Sequence, residues 1–316
     1  MLSLMINELQ QWFENLKRNS TLHRFQLPTS NKHGIELFVK RDDLIDAYIS
    51  GNKIRKLEHN LLAAQREAVE QIHTYGGAYS NHLLASAAVS IKLKQSMYGW
   101  VRGEELNAKS NTLLMECGKL GMGLKFLKRD LYNQHKLSSG LSYTNGKSVW
   151  YIPEGGANPQ GILGCTEIYT EAVAQNGYKD FDVVVVAQGT TTTSLGILAS
   201  IPKSTILLVV PVLKGFNTLT EMQKLATKAK QEPATAHLRF SFDQLKILDQ
   251  YHHGGYAKSS SELNEFIGKF NASSQFPIES IYTAKALFAL QDQLLNFKQR
   301  SILFIHTGGI KKPTER

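Results

Sequence analysis

The chain has 316 residues, 42% of them hydrophobic and 20% charged, a globular composition that excludes disordered and collagen-like classes. Its formal charge of +9 comes from Lys and Arg scattered along the sequence rather than gathered into a run. No nucleic-acid partner is therefore expected, and a phosphate-bearing small molecule fits better.

Cys117 and Cys165 are the only cysteines, which excludes a disulfide framework and a four-cysteine zinc site. The opening MLSLMINELQQWF is interrupted by Asn7 and Glu8, no small-residue cleavage site follows it, and no run of roughly 18 apolar residues occurs. Together these features predict a soluble protein of the reducing cytoplasm with no membrane partner. The first predicted helix spans residues 54–70, because Ile54, Leu57, Leu61, Ala64 and Ala68 recur at spacings of three and four. Runs rich in Val, Ile and aromatics then alternate with helical patterns. They are strand 71–75, helix 81–93, strand 97–101, helix 108–120, strands 124–127 and 149–152, helix 161–175, strand 183–187, helix 192–200, strand 206–212, helix 218–231 and strand 302–306. This alternation predicts an α/β fold of two open, twisted, mostly parallel sheets with helices on both faces and ligand sites at the strand C-terminal ends. No repeat or low-complexity linker appears, so the predicted division is a small domain of residues 46–150 inserted into a large one made of residues 1–45 and 151–316.

The stretch SGNKIRKLE (50–58) seats Lys53 in the first turn of its helix. Unsatisfied N–H groups and a positive partial charge lie there, so a lysine kept only for structure is misplaced. Burial and nearby positive charge lower a lysine's pKa, and chemistry that needs a neutral amine gives the position a purpose. YGGAYSNH (75–82) joins glycines that let a backbone approach closely to Ser80 and Asn81, strong helix caps that can also face a ligand. Read alone, it fits a plain capped turn equally well. AQGTTTTS (187–194) follows VVVV and offers helix N-terminal N–H groups with several hydroxyls, an anion cradle suited to a monophosphate. Without a Walker lysine or G-x-G-x-x-G spacing it favours neither a nucleoside triphosphate nor a dinucleotide, and an ordinary capped junction stays open. EGGAN (154–158) and HTGG (306–309) have the same strand-to-glycine form. No His-x-x-x-His pair occurs, and the adjacent His252 and His253 point apart, so no metal is expected. The absence of Gly-x-Ser-x-Gly removes the usual esterase reading.

Taken in order, KRDDL (40–44), SGNKIRKLE, GGAYSNH, RGEE (102–105), IPEGGANPQGILGC (152–165), the threonine loop, GGYAK (254–258), YTAKA (282–286) and HTGG carry a resemblance over residues 25–309. The chain resembles the pyridoxal-phosphate-dependent enzymes of the tryptophan-synthase-β fold. Among them it is similar to the 1-aminocyclopropane-1-carboxylate deaminase and D-cysteine desulfhydrase family. The resemblance implies pyridoxal 5'-phosphate as cofactor, a small amino acid as substrate and a homodimer. Lys53 matches the lysine that bonds the cofactor aldehyde, and Asn52 the asparagine beside the cofactor ring. Gly189, Thr190, Thr191, Thr192 and Thr193 match the phosphate loop. Ser80 matches the serine near the opposite ring face, Asn81 and His82 the substrate-carboxylate end, and Tyr256 and Tyr282 the tyrosines that flank substrate and assist proton or thiolate handling.

The cofactor is an electron sink, and Lys53, once freed by substrate, is the implied base at Cα. Ring opening is associated in this family with a glutamate and a leucine where Thr283 and Thr307 stand, near the pyridine nitrogen. A carboxylate there favours a protonated ring more than a hydroxyl does. The resemblance therefore favours β-elimination of the D-cysteine desulfhydrase kind, to pyruvate, ammonia and sulfide, over opening of aminocyclopropane carboxylate. A cofactor-binding protein with little turnover is the alternative of another class. Two departures bear on affinity and substrate choice: Thr191 stands where glycine is common, and Ala284 where the pattern has glycine.

Overall fold

A computed structural model of the chain describes residues 2–28, 30–49, 51–93 and 95–309; Ser50 of SGNKIRKLE and the KKPTER tail lie outside the described residues. Helix α1 (Leu2–Lys17) precedes strands β1 (Leu22–Phe25) and β2 (Glu36–Arg41) and helix α2 (Asn52–Arg66). Next come β3 (Gln71–Gly76), α3 (Asn81–Ser90), β4 (Ser96–Arg102), α4 (Thr112–Lys119), β5 (Gly123–Leu127), α5 (Arg129–His135), β6 (Gly140–Thr144) and β7 (Lys147–Ile152). The rest is α6 (Pro159–Gln175), β8 (Val183–Gln188), α7 (Thr192–Ser200), β9 (Ile206–Pro211), α8 (Thr218–Gln231), β10 (Leu245–Ile247), α9 (Ser261–Ser273), α10 (Thr283–Gln293) and β11 (Ser301–His306).

Two sheets form, in the orders β5-β4-β3-β7-β6 and β1-β2-β11-β8-β9-β10. The pairs β1/β2 and β6/β7 are antiparallel, and the others are parallel. The fold class expected from the alternation is the one found. In β8 alternate residues face opposite sides: Val183 and Val185 pack with Leu287, Leu290 and Phe266, while Val184 and Val186 pack with Ile168, Leu195 and Met222. A strand covered on both faces has no place for polar residues, which accounts for its unbroken valine run. In the five-stranded sheet Ile72, Met97, Val101 and Ile152 share a cluster with Leu57, Leu61, Leu83 and Leu114, and Leu9 and Phe13 of α1 join it.

The structure moves some boundaries. The helix expected over 54–70 begins at Asn52 and ends at Arg66, and Ala68 is exposed with φ +48°, so it does not extend the apolar face of Ile54, Leu57, Leu61 and Ala64. Strands β1, β2, β6 and β10 and helices α1, α5, α9 and α10 were not among the predicted elements.

Helix α2 is buried on its polar side as well. Arg55 is fully buried, with Nε and Nη2 donating to Asp42 Oδ2 and Oδ1 at 2.8 Å each, and Nη1 and Nη2 donating to Glu171 at 2.8 Å each. Lys40 pairs with Glu171 at 2.9 Å, and Lys17 with Glu58 at 2.8 Å and Glu167 at 2.6 Å. The charges of KRDDL and SGNKIRKLE thus tie β2 to α2 and α6. Burial opposes ionisation of Asp42 and Glu171, but the Arg55 guanidinium overcomes it and holds both below the usual carboxylate range. Arg55→Met should destabilise the protein by about 3 kcal/mol at pH 7, the low end for a broken buried pair because Glu171 is partly exposed. The depressed carboxylates contribute stability above a pH of roughly 4 and lose it as the pH falls through their lower folded values. Urea unfolding at pH 7 and pH 3 checks both statements: the gap between wild type and variant should narrow in acid.

Candidate active site

The C-terminal ends of strands from both sheets converge on the N-terminus of α2. Gly51 has φ +69°, and a Cβ there would lie 1.7 Å from Thr307 O, so only glycine lets the end of β11 cross the start of α2. Asn52 N–H donates to Thr307 O at 3.3 Å, and Asn52 Nδ2 donates to Thr193 Oγ1 at 2.9 Å. The glycines after β7 fill the remaining side: a Cβ on Gly156 would meet Lys56 Cβ at 2.9 Å and His82 Cε1 at 3.6 Å. One locus therefore joins Asn52, Lys53, Lys56, His82, Thr190, Thr193 and Thr307.

Lys53 Nζ donates to Asn52 Oδ1 at 2.6 Å. Burial, helped by the charge of Lys56, pushes its pKa down to about 7, so a neutral amine is populated near neutrality. Lys56 is buried, and burial lowers its pKa too; its Nζ donates to Thr190 Oγ1 at 3.1 Å. His82 is buried, and burial with the charges of Lys53 and Lys56 pushes its pKa down to about 3. Thr74 Oγ1 donates to Ile152 O at 3.0 Å, so it can only accept from His82 Nε2 at 2.9 Å. His82 is thereby a neutral ring protonated at Nε2.

The threonine loop leads from β8 into α7. Thr191, Thr192 and Thr193 are buried; Thr192 Oγ1, Ser194 Oγ and Gln188 Oε1 are buried without a hydrogen-bond partner. Orphaned hydroxyls at a helix N-terminus, with the Lys56 ammonium one hydroxyl away, form a site for an anion. The Tyr282 ring lies over Gly189, where a Cβ would stand 3.1 Å from its Cε1, and it meets Tyr256 edge-on at 6.0 Å between centroids. Burial, then Tyr256, drives the Tyr282 pKa well up, so its phenol stays protonated.

Other expected residues are placed differently. Ser80 caps α3, accepting from Leu83 N–H at 3.4 Å, and Asn81 is exposed beside Gly309, where a Cβ would stand 3.8 Å from its Nδ2. Thr283 is fully buried and its hydroxyl is engaged with Glu279. The sequence reading missed Lys56, Glu279 and Lys285. Lys56 lies one helical turn beyond Lys53, and that spacing could have revealed it. Glu279 accepts from the N–H groups of Ile281, Tyr282 and Thr283, a capping role that an acidic residue just ahead of a helix signals. Lys285 Nζ donates to His252 O at 2.8 Å and Gly255 O at 2.7 Å, anchoring the loop that carries Tyr256; nothing local predicts those partners.

No Glu-x-x-His pair was expected either, but Glu70 and His73 have that spacing at the start of β3, where His73 Nδ1 accepts from Trp100 Nε1 at 3.1 Å. Glu58, His59 and Glu167 group their ligand atoms within 4.8 Å, but the Lys17 ammonium already meets both carboxylates.

Comparison with known proteins gives the family of the chain. The family profile described as "Pyridoxal-phosphate dependent enzyme" matches residues 18–308. A Thermotoga maritima protein named "Putative 1-aminocyclopropane-1-carboxylate deaminase" is 31% identical over 94% of this chain and 96% of its own. An Arabidopsis thaliana protein named as a bifunctional mitochondrial D-cysteine desulfhydrase/1-aminocyclopropane-1-carboxylate deaminase is 28% identical over 92% and 76%. The crystal structure of an ACC deaminase homologue superposes with a TM-score of 0.76 at 25% identity, covering 92% of this chain and 90% of that one. A fungal L-serine ammonia-lyase from Rhizomucor miehei shares the fold, with a TM-score of 0.62 at 14% identity over 92% and 93%. The chain belongs to the pyridoxal-phosphate-dependent enzymes, in the branch of the 1-aminocyclopropane-1-carboxylate deaminases and D-cysteine desulfhydrases. Its residues fit the cofactor: the orphaned hydroxyls and Lys56 suit a phosphate, and the depressed Lys53 amine suits an aldehyde. Among the described residues no helix is long and apolar enough to cross a membrane.

Proposed function

We propose that the protein is a lyase that eliminates the β-substituent of a small amino acid, with D-cysteine as the model substrate. Pyridoxal phosphate, when bound, supplies the electron sink that makes the Cα proton removable. Lys53 would hold the cofactor aldehyde, and its neutral amine would take the Cα proton at Nζ. Lys56, Thr190, Thr191, Thr192 and Thr193 hold the phosphate with Gly189, and Asn52 orients the ring. Ser80 lies at the opposite face of the ring, and the start of α3 is the carboxylate end, where Asn81 donates and His82, its Nε2–H held by Thr74, lines the site as a neutral ring. Tyr282, a protonated phenol beside Tyr256, donates to the departing thiolate. The observation that carries β-elimination is that hydroxyls, Thr283 and Thr307, stand where a carboxylate and a leucine mark ring opening. The Glu279 carboxylate behind Thr283 favours a second reading, in which aminocyclopropane carboxylate is also opened.

Release of 2-oxo acid from small D- and L-amino acids and from aminocyclopropane carboxylate tests the choice. D-cysteine or a close analogue should be the best substrate, and Thr283→Glu combined with Thr307→Leu should shift the ratio of rates toward ring opening. Ring opening by the wild type at a rate rivalling thiol elimination would return the enzyme to the deaminase side.

We also propose residues 46–150 as a small domain, on whose core α1 packs, inserted between residues 1–45 and 151–316 of a large one. A homodimer is inferred from the family resemblance, and a cytoplasmic location from the two cysteines, both free and buried. Light scattering that returns the mass of a single chain removes the dimer.

A further inference from the structure

We propose that Glu154 is a specificity residue that lets the same site eliminate ammonia from amino acids bearing a β-ammonium group; this rests on the reading of Tyr282 as the residue at the β leaving group. Glu154 opens the turn that follows β7. The next residue, Gly155, has φ +65°, and a Cβ there would meet Thr190 Cγ2 at 2.9 Å, so the turn rests on the same threonine loop against which the Tyr282 ring lies. Glu154 Oε1 accepts from the Tyr132 hydroxyl at 2.8 Å, and Glu154 N–H donates to Lys136 O at 2.8 Å. Tyr132 is fully buried, which fixes that oxygen. Oε2 keeps its lone pairs: among the described residues the cation paired with it, Lys136 Nζ, stands 4.0 Å away, beyond hydrogen-bond reach, and the Glu154 side chain is 34% exposed. Burial, then Tyr256, drives the Tyr282 pKa up, and the charges of Glu279 and Glu154 add to it, so Glu154 lies within electrostatic reach of the phenol.

A carboxylate here treats two leaving groups in opposite ways. A thiol departs as an anion, whose charge a fixed negative neighbour opposes and the Tyr282 phenol relieves. An amine departs from its protonated form, as neutral ammonia. The carboxylate attracts that ammonium and keeps its proton on, against the repulsion of positive charge on the substrate's α-nitrogen. The step needs no reagent beyond water: Lys53 Nζ takes the Cα proton, the electron pair left at Cα forms the Cα–Cβ double bond, and the Cβ–N bond breaks with its pair on nitrogen. The enamine released takes up water to give pyruvate and a second ammonia. One diamino acid and one water thus yield one pyruvate and two ammonia.

The test is release of pyruvate and ammonia by the holoenzyme from both enantiomers of 2,3-diaminopropionate and from D-cysteine, in wild type and Glu154→Gln. Gln keeps an oxygen for the Tyr132 hydroxyl and removes the charge. Wild type should release two ammonia per pyruvate from the diamino acid. In Glu154→Gln the kcat/KM for the diamino acid, divided by that for D-cysteine, should fall by about 10- to 100-fold, the scale of one hydrogen bond to a charged group. A merely structural role would lower both substrates together, and an unchanged ratio overturns the proposal. Should Glu154→Gln not fold, Glu154→Asp against Glu154→Asn decides: a higher ratio in the charged variant supports the proposal, and equal ratios overturn it. Thiol elimination from D-cysteine with no release from the diamino acid overturns the proposal and leaves the reading of the site intact; no pyruvate from either substrate removes that reading as well.

Discussion

Lys53→Ala should abolish covalent cofactor attachment and lower turnover by roughly a thousandfold or more, the scale of losing a positioned general base. The protein should remain folded. Lys53 is held at about 7, below the ordinary lysine value, first by burial and then by Lys56, so folding releases a proton wherever the unfolded chain still carries it. Stability of the apoprotein should therefore rise with pH from about 7 toward the ordinary lysine value of roughly 10.4, and in Lys53→Ala the rise should shrink to what the other depressed lysines, Lys56 among them, contribute. Without cofactor, the variant's melting temperature at pH 7 should equal or exceed that of the wild type. Covalent capture of added cofactor by the apoprotein should speed up through about pH 7 as the amine loses its proton. Borohydride reduction followed by peptide mapping checks the attachment. Cofactor fixed to another lysine, with Lys56 the nearest rival, would remove Lys53 from the role.

Lys56→Met should weaken cofactor binding by about 10- to 100-fold, the effect of losing one charged hydrogen bond of roughly 1.5–3 kcal/mol. Among the described residues its only side-chain partner is the Thr190 hydroxyl, and burial has lowered its pKa without a carboxylate to offset the cost. An anion at the start of α7 supplies what is missing. Replacing Thr190 and Thr192 together by Val should weaken retention in the same direction, since one hydroxyl orients Lys56 and the other is orphaned until an anion arrives. Without cofactor, Lys56→Met should be at least as stable as the wild type, because a buried, poorly paired ammonium is removed. Absorbance titration of the apoprotein with pyridoxal phosphate measures the affinity, and unaltered binding in both variants would take the loop and Lys56 out of the phosphate site.

Local pattern carried most of the fold. The valine run of β8, the strands at 97–101 and 302–306, and the helix opened by Ser80 were legible because each is set by side chains within a few residues of one another. So was the oddity of Lys53, a charge on the wrong end of a helix. Strand β2 was missed for a physical reason: its end, Lys40 and Arg41 with Asp42 after it, looks like solvated surface but is buried. Glu171, which makes that burial tolerable, lies far along the chain on α6. Helix α10 hid in the same way, since Lys285 finds its acceptors in the loop around Gly255.

What the sequence by itself determined is the alternation of strands and helices, the glycine-bearing strand ends and the lysine that chemistry needs, all written in short-range periodicity and in local caps. Only the tertiary structure decided which strand ends meet, that burial and then Lys56 depress Lys53, that Lys56 reaches the threonine loop, and that Thr283 faces Glu279. Electrostatic effects depend on distances through space, and those distances arise from closing long loops between the two sheets, which no local window of residues records.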